Sequence, residues 1–108
     1  AHLPGYVVKA DELKSKGVDD IVCLSVNDAF VMDAWGKDKN AEELLMVADG
    51  NGDFTKALGL EMDGSGFGLG TRSQRYAMIV DDGKVTKLAV EEPGKLEVSA
   101  AEAILDSL

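Results

Sequence analysis

Residues 72–90 read RSQRYAMIVDDGKVTKLAV, and this stretch carries the clearest structural signal in the chain. An Asp82-Gly83 pair separates two runs of strand-forming residues, Tyr76–Val80 and Lys84–Val90. This arrangement predicts a β-hairpin, because a type I′ turn needs positive φ at both central positions and Asp-Gly supplies it.

Two arginines, Arg72 and Arg75, lie just before the first strand of this hairpin, in a chain with a formal net charge of −9. The rigid start of a strand is a good place from which to direct a guanidinium at an anion. The simpler interpretation is that both arginines pair with surface carboxylates, since most exposed charges are solvated or weakly paired.

The size and composition of the chain indicate a single globular domain. It has 108 residues, of which 45% are hydrophobic, enough for one modest core. A pI of about 4.4 argues against binding to nucleic acid or to anionic membranes. No apolar run approaches the roughly 20 residues of a membrane-spanning helix, and no signal peptide is recognisable.

Each of the two residue types used most often in nucleophilic and metal chemistry occurs once. Cys23 is the only cysteine, which excludes an internal disulfide and a cysteine-rich metal site within these residues. His2 is the only histidine, which argues against Ser-His-Asp catalysis and His-rich metal sites. A single cysteine suits a reducing compartment. Cys23 is interpreted as a small hydrophobic core residue, since burial disfavours its thiolate. His2 is interpreted as a polar residue at a chain end, without a partner.

The remaining pattern alternates between helices and strands. Glu61–Gly70, EMDGSGFGLG, is expected to be a glycine-rich loop, and Ser99 with Glu102 forms the S-x-x-E pattern of a capping box. Cys23 lies in an apolar run typical of a parallel strand buried on both faces. The predicted elements are a helix Tyr6–Lys16 ended by Gly17, a strand Ile21–Val26, a helix Ala29–Trp35 capped by Asn27 or Asp28 and ended by Gly36, a strand Leu44–Val47, a short helix Phe54–Leu58, the hairpin, and a helix Ala100–Leu108.

Two glycine-containing motifs imitate ligand-binding loops. Asp49–Phe54, DGNGDF, resembles the start of a calcium loop, but Phe54 and Leu60 stand where the pattern needs glycine and glutamate. Local turn chemistry is therefore the better explanation. Gly64–Gly70, GSGFGLG, lacks the spacing and the following helix of a phosphate-binding loop and is rejected.

Several blocks together resemble the type II, peroxiredoxin-five-like branch of the peroxiredoxins. The most specific are the block SVNDAFVM followed by Trp35-Gly36, and the block R-S-x-R-Y-x-M. The resemblance covers the whole chain. It rests on His2–Tyr6, Val22–Val31, Trp35-Gly36, Ala48–Gly50 and Arg72–Met78.

The resemblance implies an α/β, thioredoxin-like three-layer sandwich, with a mixed sheet between helices on both faces. It also implies a thiol peroxidase that reduces hydrogen peroxide and organic hydroperoxides through a cysteine sulfenic acid, which glutathione, glutaredoxin or thioredoxin then reduces. Arg75 matches the family's active-site arginine, which stabilises both the thiolate and the peroxide. A homodimer without cofactor or metal is expected.

The nucleophilic cysteine of the family is not among these residues. By register it is expected three residues upstream of Ala1, and Cys23 cannot replace it. Cys23 keeps only an open role as a resolving thiol, and Val98 stands where some animal members carry a resolving cysteine. The residues expected to surround the active site or to form a dimer face are His2, Pro4, Phe30, Trp35, Arg72 and the glycine-rich loop.

The absent segment also has a structural consequence. Residues 1–108 are interpreted as one thioredoxin-like domain truncated at its N-terminus, lacking the first core strand between the strand Ile21–Val26 and the hairpin. Two rows of backbone groups would then be unpaired, so the 108 residues alone are not expected to fold stably. The alternatives are a non-catalytic thioredoxin-like interaction module and, on DGNGDF alone, a calcium-binding domain. The expected compartment is the cytoplasm, although any targeting sequence would lie in the absent segment.

Overall fold

The computed structural model describes all residues from Ala1 to Leu108. It contains four α-helices, one short 3₁₀ turn at Ser65–Phe67 and six strands. The helices are α1 (His2–Ser15), α2 (Ala29–Asp38), α3 (Asp53–Ala57) and α4 (Ala101–Asp106), and the strands are β1 (Val22–Ser25), β2 (Leu45–Ala48), β3 (Glu61–Asp63), β4 (Thr71–Ser73), β5 (Tyr76–Asp81) and β6 (Lys84–Val90). None of the helices combines the length and the apolar character needed to cross a membrane.

The predicted hairpin is confirmed. β5 and β6 pair antiparallel from Tyr76 opposite Val90 to Asp81 opposite Lys84. Asp82 and Gly83 have φ angles of 50° and 76°, as the type I′ turn requires.

The predicted parallel strands are confirmed in β1 and β2, but α2 does not end at Gly36. Asp28 is the N-cap, with its Oδ1 accepting from the N–H of Val31 at 2.8 Å, and the helix continues to Asp38. The glycine has a packing role, because a Cβ at this position would lie 3.0 Å from Cγ of Met46 in β2. Gly36 therefore lets the helix approach the sheet closely.

The outer helices differ from their predicted bounds. α1 begins at His2 rather than Tyr6, with Pro4 in its first turn, where a missing N–H costs nothing. Gly17 follows its last turn with φ of 99°, as expected. α4 begins at Ala101, and the predicted capping box is wrong, because Ser99 does not cap it. The hydroxyl of Ser99 donates instead to a buried carboxylate, described below.

The glycine-rich segment is not an open loop. β3 and β4 pair antiparallel around the 3₁₀ turn, with Glu61 opposite Ser73, and we call residues 61–73 the glycine-rich ribbon. The N–H of Gly64 donates to the carbonyl of Gly70 at 2.7 Å, which extends the pairing toward the turn. Gly70 has a φ of 66°. Pairing that depends on such a glycine leaves no alternation of hydrophobic side chains, so the sequence does not predict these strands.

The six strands form three separate two-stranded sheets, β1-β2, β3-β4 and β5-β6. β1 and β5 each have only one partner strand, and a groove of about 1,480 Å³ lies between them, lined along both strands. β1 is therefore not buried on both faces as predicted, and its Val22 is 54% exposed. The core lies where α1 and α4 pack near β1; its buried members are Leu3, Ala10, Leu13, Ile21, Ala41, Leu44 and Ile104.

Candidate functional site

Most of the site residues predicted from the sequence line the groove between β1 and β5. β1 contributes Cys23, and α1 contributes residues of its first turn. The groove-lining members of the predicted set are His2, Pro4, Cys23, Trp35 and Arg75. Phe30 and Arg72 lie outside it.

Arg75 sits between β4 and β5 with most of its donors unused. Its Nη1 donates to the carbonyl of Lys95 at 3.1 Å, and its own carbonyl accepts from the N–H of Glu91 at 2.9 Å. No carboxylate lies within salt-bridge distance of its guanidinium. The interpretation that Arg75 pairs with a surface carboxylate is therefore wrong, and the side chain is free to bind an anion from the groove side.

Arg72 is held through Nε and Nη1 by neutral oxygens of the chain. Its Nε donates to the carbonyl of Leu69 at 2.9 Å, and its Nη1 donates to Asn27 Oδ1 at 3.1 Å and to the carbonyl of Val26. The side chain thus ties the glycine-rich ribbon to the turn between β1 and α2. This arginine is a structural clamp rather than a paired surface charge.

His2 has a partner, contrary to the sequence interpretation. Its Nε2 lies 2.9 Å from the carbonyl oxygen of Ser99, and the hydroxyl of Tyr6 donates to the same oxygen at 2.7 Å. Burial lowers the pKa of His2, although the hydrogen bond to Ser99 opposes that shift. The imidazole is therefore neutral near pH 7 and donates to the carbonyl from α1.

Glu91 is a buried carboxylate that the sequence analysis did not identify. Its Oε2 accepts from the N–H groups of Glu97 and Ser99 at 2.7 and 2.8 Å and from the Ser99 hydroxyl at 2.6 Å. Its Oε1 accepts from the N–H of Val98 at 3.3 Å. Burial favours the neutral acid, but these donors outweigh it and lower the pKa of Glu91 to about 2. The only sequence signal near this cluster was Ser99, which the sequence pattern wrongly assigned to a capping box.

Cys23 is half-buried in the groove wall, and no disulfide involves it. Burial raises the pKa of its thiol, so the reactive thiolate is disfavoured. No cation is hydrogen-bonded to it. This environment does not activate the thiol, and the open role of Cys23 as a resolving thiol stays a prediction.

Asp49 organises the DGNGDF turn by accepting hydrogen bonds from the first turn of α3, whose N-cap is Gly52. Asp49 Oδ2 accepts from the N–H and hydroxyl of Thr55 at 2.9 and 2.7 Å, and its Oδ1 accepts from the N–H of Phe54 at 3.2 Å. These bonds lower the pKa of Asp49, the Thr55 hydroxyl contributing most. The carboxylate is thus used at the start of α3.

The two predicted aromatic site residues have different environments. Trp35 is partly buried and packs against the core. Phe30, in the first turn of α2, is 87% exposed, as is Phe67 in the glycine-rich ribbon. Arg72 ties the ribbon that carries Phe67 to the turn that precedes α2.

Comparisons with known proteins show what the chain is similar to. Residues 1–105 match the Redoxin family model. Peroxiredoxin-2B of Arabidopsis thaliana is 54% identical over 108 residues, which are 99% of this chain and 67% of that protein. Hybrid peroxiredoxin hyPrx5 of Haemophilus influenzae is 44% identical over 111 residues, all of this chain and 46% of its own.

Solved structures give the same result. Reduced Prx3 of Vibrio vulnificus in complex with H₂O₂ superposes with a TM-score of 0.96 at 68% identity, over 100% of this chain and 70% of that one. Peroxiredoxin 5 of Alvinella pompejana superposes with a TM-score of 0.87 at 41% identity, over 98% of this chain and 66% of its own. The chain thus spans about two thirds of the length of three of these relatives and just under half of the hybrid peroxiredoxin.

The fold and the groove therefore define a thioredoxin-like α/β protein of the thiol peroxidase class. The chain belongs to the Redoxin family and, within it, to the type II, peroxiredoxin-five-like peroxiredoxins. Thiol-dependent reduction of peroxides is the function that this membership carries.

Proposed function

We propose that these 108 residues form the arginine-bearing part of a type II peroxiredoxin that reduces hydrogen peroxide and organic hydroperoxides. The observation that carries the proposal is Arg75, whose guanidinium lines the groove and has no carboxylate partner. An arginine left unpaired in a chain with 20 acidic residues is available for an anionic partner from outside these residues.

The nucleophile in this proposal is a cysteine that precedes Ala1, and not Cys23. The raised pKa of Cys23 leaves it as a thiol at neutral pH. β1 and β5 each lack a second strand partner along the groove, which is the space that the first core strand of a thioredoxin-like sheet would fill. A cysteine that follows such a strand and precedes α1 would lie near Arg75, since both His2 and Arg75 line the groove.

The chemistry assigned to Arg75 follows from its charge. The thiolate attacks one peroxide oxygen, an S–O bond forms as the O–O bond breaks, and the leaving hydroxide or alkoxide takes up a proton. Arg75 lowers the pKa of the attacking thiol and stabilises the charge that develops on the peroxide oxygens. An external thiol then condenses with the sulfenic acid to a mixed disulfide with loss of water, and a second thiol reduces this bond, which releases the enzyme thiol and leaves the two reductant thiols as a disulfide.

The reductant in this proposal is glutathione, glutaredoxin or thioredoxin, and the compartment is the cytoplasm. A chain with a single half-buried thiol suits a reducing compartment. Two plant relatives have the word chloroplastic in their names, so an organellar form within the family also exists.

The assembly in this proposal is a homodimer that covers Phe30 and Phe67. Two phenylalanines at 87% exposure, one in α2 and one in the ribbon that Arg72 ties to the turn before α2, offer apolar area that a second copy would bury. Phe30→Asp should convert the complete protein to monomer in light-scattering measurements. A dimer that survives this change and Phe67→Asp would contradict the assignment of this face.

The peroxidase proposal is tested with the complete polypeptide and its Arg75→Met variant. The rate constant for hydrogen peroxide should fall by about 10²- to 10³-fold in the variant, because a preorganised charge is lost. Asp33→Asn, which removes an exposed carboxylate of α2, should leave the rate unchanged. A wild-type protein that consumes no peroxide would instead indicate the non-catalytic interaction module.

A further inference from the structure

The loop between β6 and α4 is folded around one buried carboxylate. Glu91 is the residue directly after β6. The chain then turns so that the N–H groups of residues 97, 98 and 99 all point at its two carboxylate oxygens. The Ser99 hydroxyl supplies the fourth donor. Both Glu91 and Ser99 are buried, at 7% and 0% exposure. We call residues 91–99 the carboxylate loop.

One side of this loop holds Arg75. The N–H of Glu91 donates to the carbonyl of Arg75 at 2.9 Å, and the carbonyl of Lys95 accepts from Arg75 Nη1 at 3.1 Å. The backbone and the guanidinium of the arginine are thus fixed by the same nine residues.

The other side of the loop holds the first turns of α1. The carbonyl of Ser99 accepts from the hydroxyl of Tyr6 at 2.7 Å and lies 2.9 Å from His2 Nε2. The rings of His2 and Tyr6 meet edge to face, with centroids 5.5 Å apart. The start of α1 is therefore anchored to the position of one carbonyl, which the Glu91 carboxylate sets.

We infer that Glu91 is a positioning residue for the peroxidase reaction, which sets the distance between the Arg75 guanidinium and the start of α1. The inference rests on the proposed function, in which the attacking thiolate lies just before α1. Arg75 and α1 have no direct hydrogen bond to each other, so the carboxylate loop is the hydrogen-bonded connection between them.

A carboxylate suits this task better than an amide. Four donors converge on it, three of them on Oε2, and an ionised carboxyl group has only acceptor sites. Glutamine at this position would direct N–H donors at one or more of the converging N–H groups. The loop would then open at one side, and it would no longer hold Arg75 and the start of α1 in fixed relative positions.

The experiment uses the complete polypeptide and compares Glu91→Gln with Glu42→Gln. Glu42 is an exposed glutamate between α2 and β2, outside the carboxylate loop. Two quantities are measured on folded protein: the pKa of the peroxidatic thiol, from the pH dependence of its alkylation, and the rate constant for hydrogen peroxide. Glu91→Gln should raise the thiol pKa and lower the rate constant about 10- to 100-fold, since small displacements at a reacting centre have effects of this size. Glu42→Gln should change neither.

Tyr6→Phe keeps the inference testable if Glu91→Gln does not fold. It removes one donor to the Ser99 carbonyl while the core stays intact, and it should raise the thiol pKa in the same direction by a smaller amount. Wild-type kinetics and thiol pKa in both variants, with only a lower melting temperature, would show a structural role and overturn the inference. An inactive wild-type protein would instead overturn the proposed function itself.

Discussion

Arg72 and Arg75 are three positions apart and look equivalent in the sequence, yet their surroundings differ. Arg72 gives three hydrogen bonds to neutral oxygens, whereas Arg75 gives one to the carbonyl of Lys95. The resemblance to the peroxiredoxins assigned the active-site role to Arg75, and that assignment stays a prediction. The residues alone do not separate the two arginines, since two of the three partners of Arg72 come from the turn at Val26 and Asn27.

This difference predicts opposite consequences for the two arginines. Arg72→Met should lower the free energy of unfolding of the complete protein by about 1–3 kcal/mol, because charged hydrogen bonds are lost at the ribbon. Arg75→Met should lower the free energy of unfolding by less, and its main effect should be a slower reduction of peroxide. Urea unfolding of both variants checks the ordering, and equal stability losses would contradict the clamp.

The pH dependence of stability should be governed in part by Glu91. Its folded pKa of about 2 lies below the ordinary 4.5, so the unfolded chain binds the proton more readily. Its contribution is complete above pH 4.5 and is lost as the pH falls from 4.5 toward 2. His2 also makes the protein less stable as the pH falls below 6.5, its ordinary pKa, because its pKa in the folded protein is lowered. Unfolding free energies of Glu91→Gln should fall less steeply over the acidic range than those of wild type, and parallel curves would contradict this assignment.

Glu91 and Ser99 mark the limit of sequence reasoning at the residue scale. A glutamate beside another glutamate before Pro93-Gly94 reads as surface charge, and Ser99 with Glu102 reads as a helix cap. The hydrogen bonds between them depend on how the loop folds back toward the end of β6. No local sequence pattern predicts that fold. Tertiary contacts here outweigh local propensity.

At the scale of elements, the hairpin and the parallel strands were predicted well because their signals are local. Asp82-Gly83 specifies its own turn, and a short apolar run is typical of a parallel strand. The glycine-rich ribbon was missed, because its pairing depends on glycine conformations rather than on side chains. The end of α2 was misplaced at Gly36, where glycine serves contact with Met46.

The ribbon gives a matched pair of glycine substitutions. A Cβ at Gly64 would lie 3.0 Å from Cβ of Leu69 and 3.1 Å from the carbonyl oxygen of Gly70, whereas a Cβ at Gly66 would meet nothing within 4 Å. Gly64→Ala should therefore destabilise the complete protein by about 1–3 kcal/mol, and Gly66→Ala should change it by less than about 0.5 kcal/mol. Thermal melting of the two variants measures the difference. An equal effect of both would contradict the ribbon geometry.

At the scale of the whole molecule, the sequence predicted the fold class and also the point where its sheet would divide. β1-β2 and β5-β6 stand apart with a groove of about 1,480 Å³ between them. The resemblance to the peroxiredoxins supplied the prediction of a divided sheet, because hydrophobic periodicity within the chain gives no information about a strand outside it. The same groove collects five of the seven site residues predicted from the sequence.

The divided sheet predicts that residues 1–108 do not fold cooperatively by themselves. Strands β1 and β5 would expose unpaired backbone groups, and the main cluster of the core has only seven buried hydrophobic residues. Circular dichroism should show a broad, non-cooperative transition for the isolated chain and a sharp one for the complete polypeptide. A sharp melting transition of the isolated chain would contradict this expectation.

The central claim, that Arg75 serves a thiolate other than Cys23, is tested most directly by locating the sulfenic acid. The complete protein is treated with hydrogen peroxide and a sulfenic-acid-specific label, and the labelled cysteine is identified by peptide mass spectrometry. The account predicts label on a cysteine that precedes Ala1, strong loss of label in Arg75→Met, and no loss in Cys23→Ser. Label on Cys23 as the first oxidised residue would contradict it.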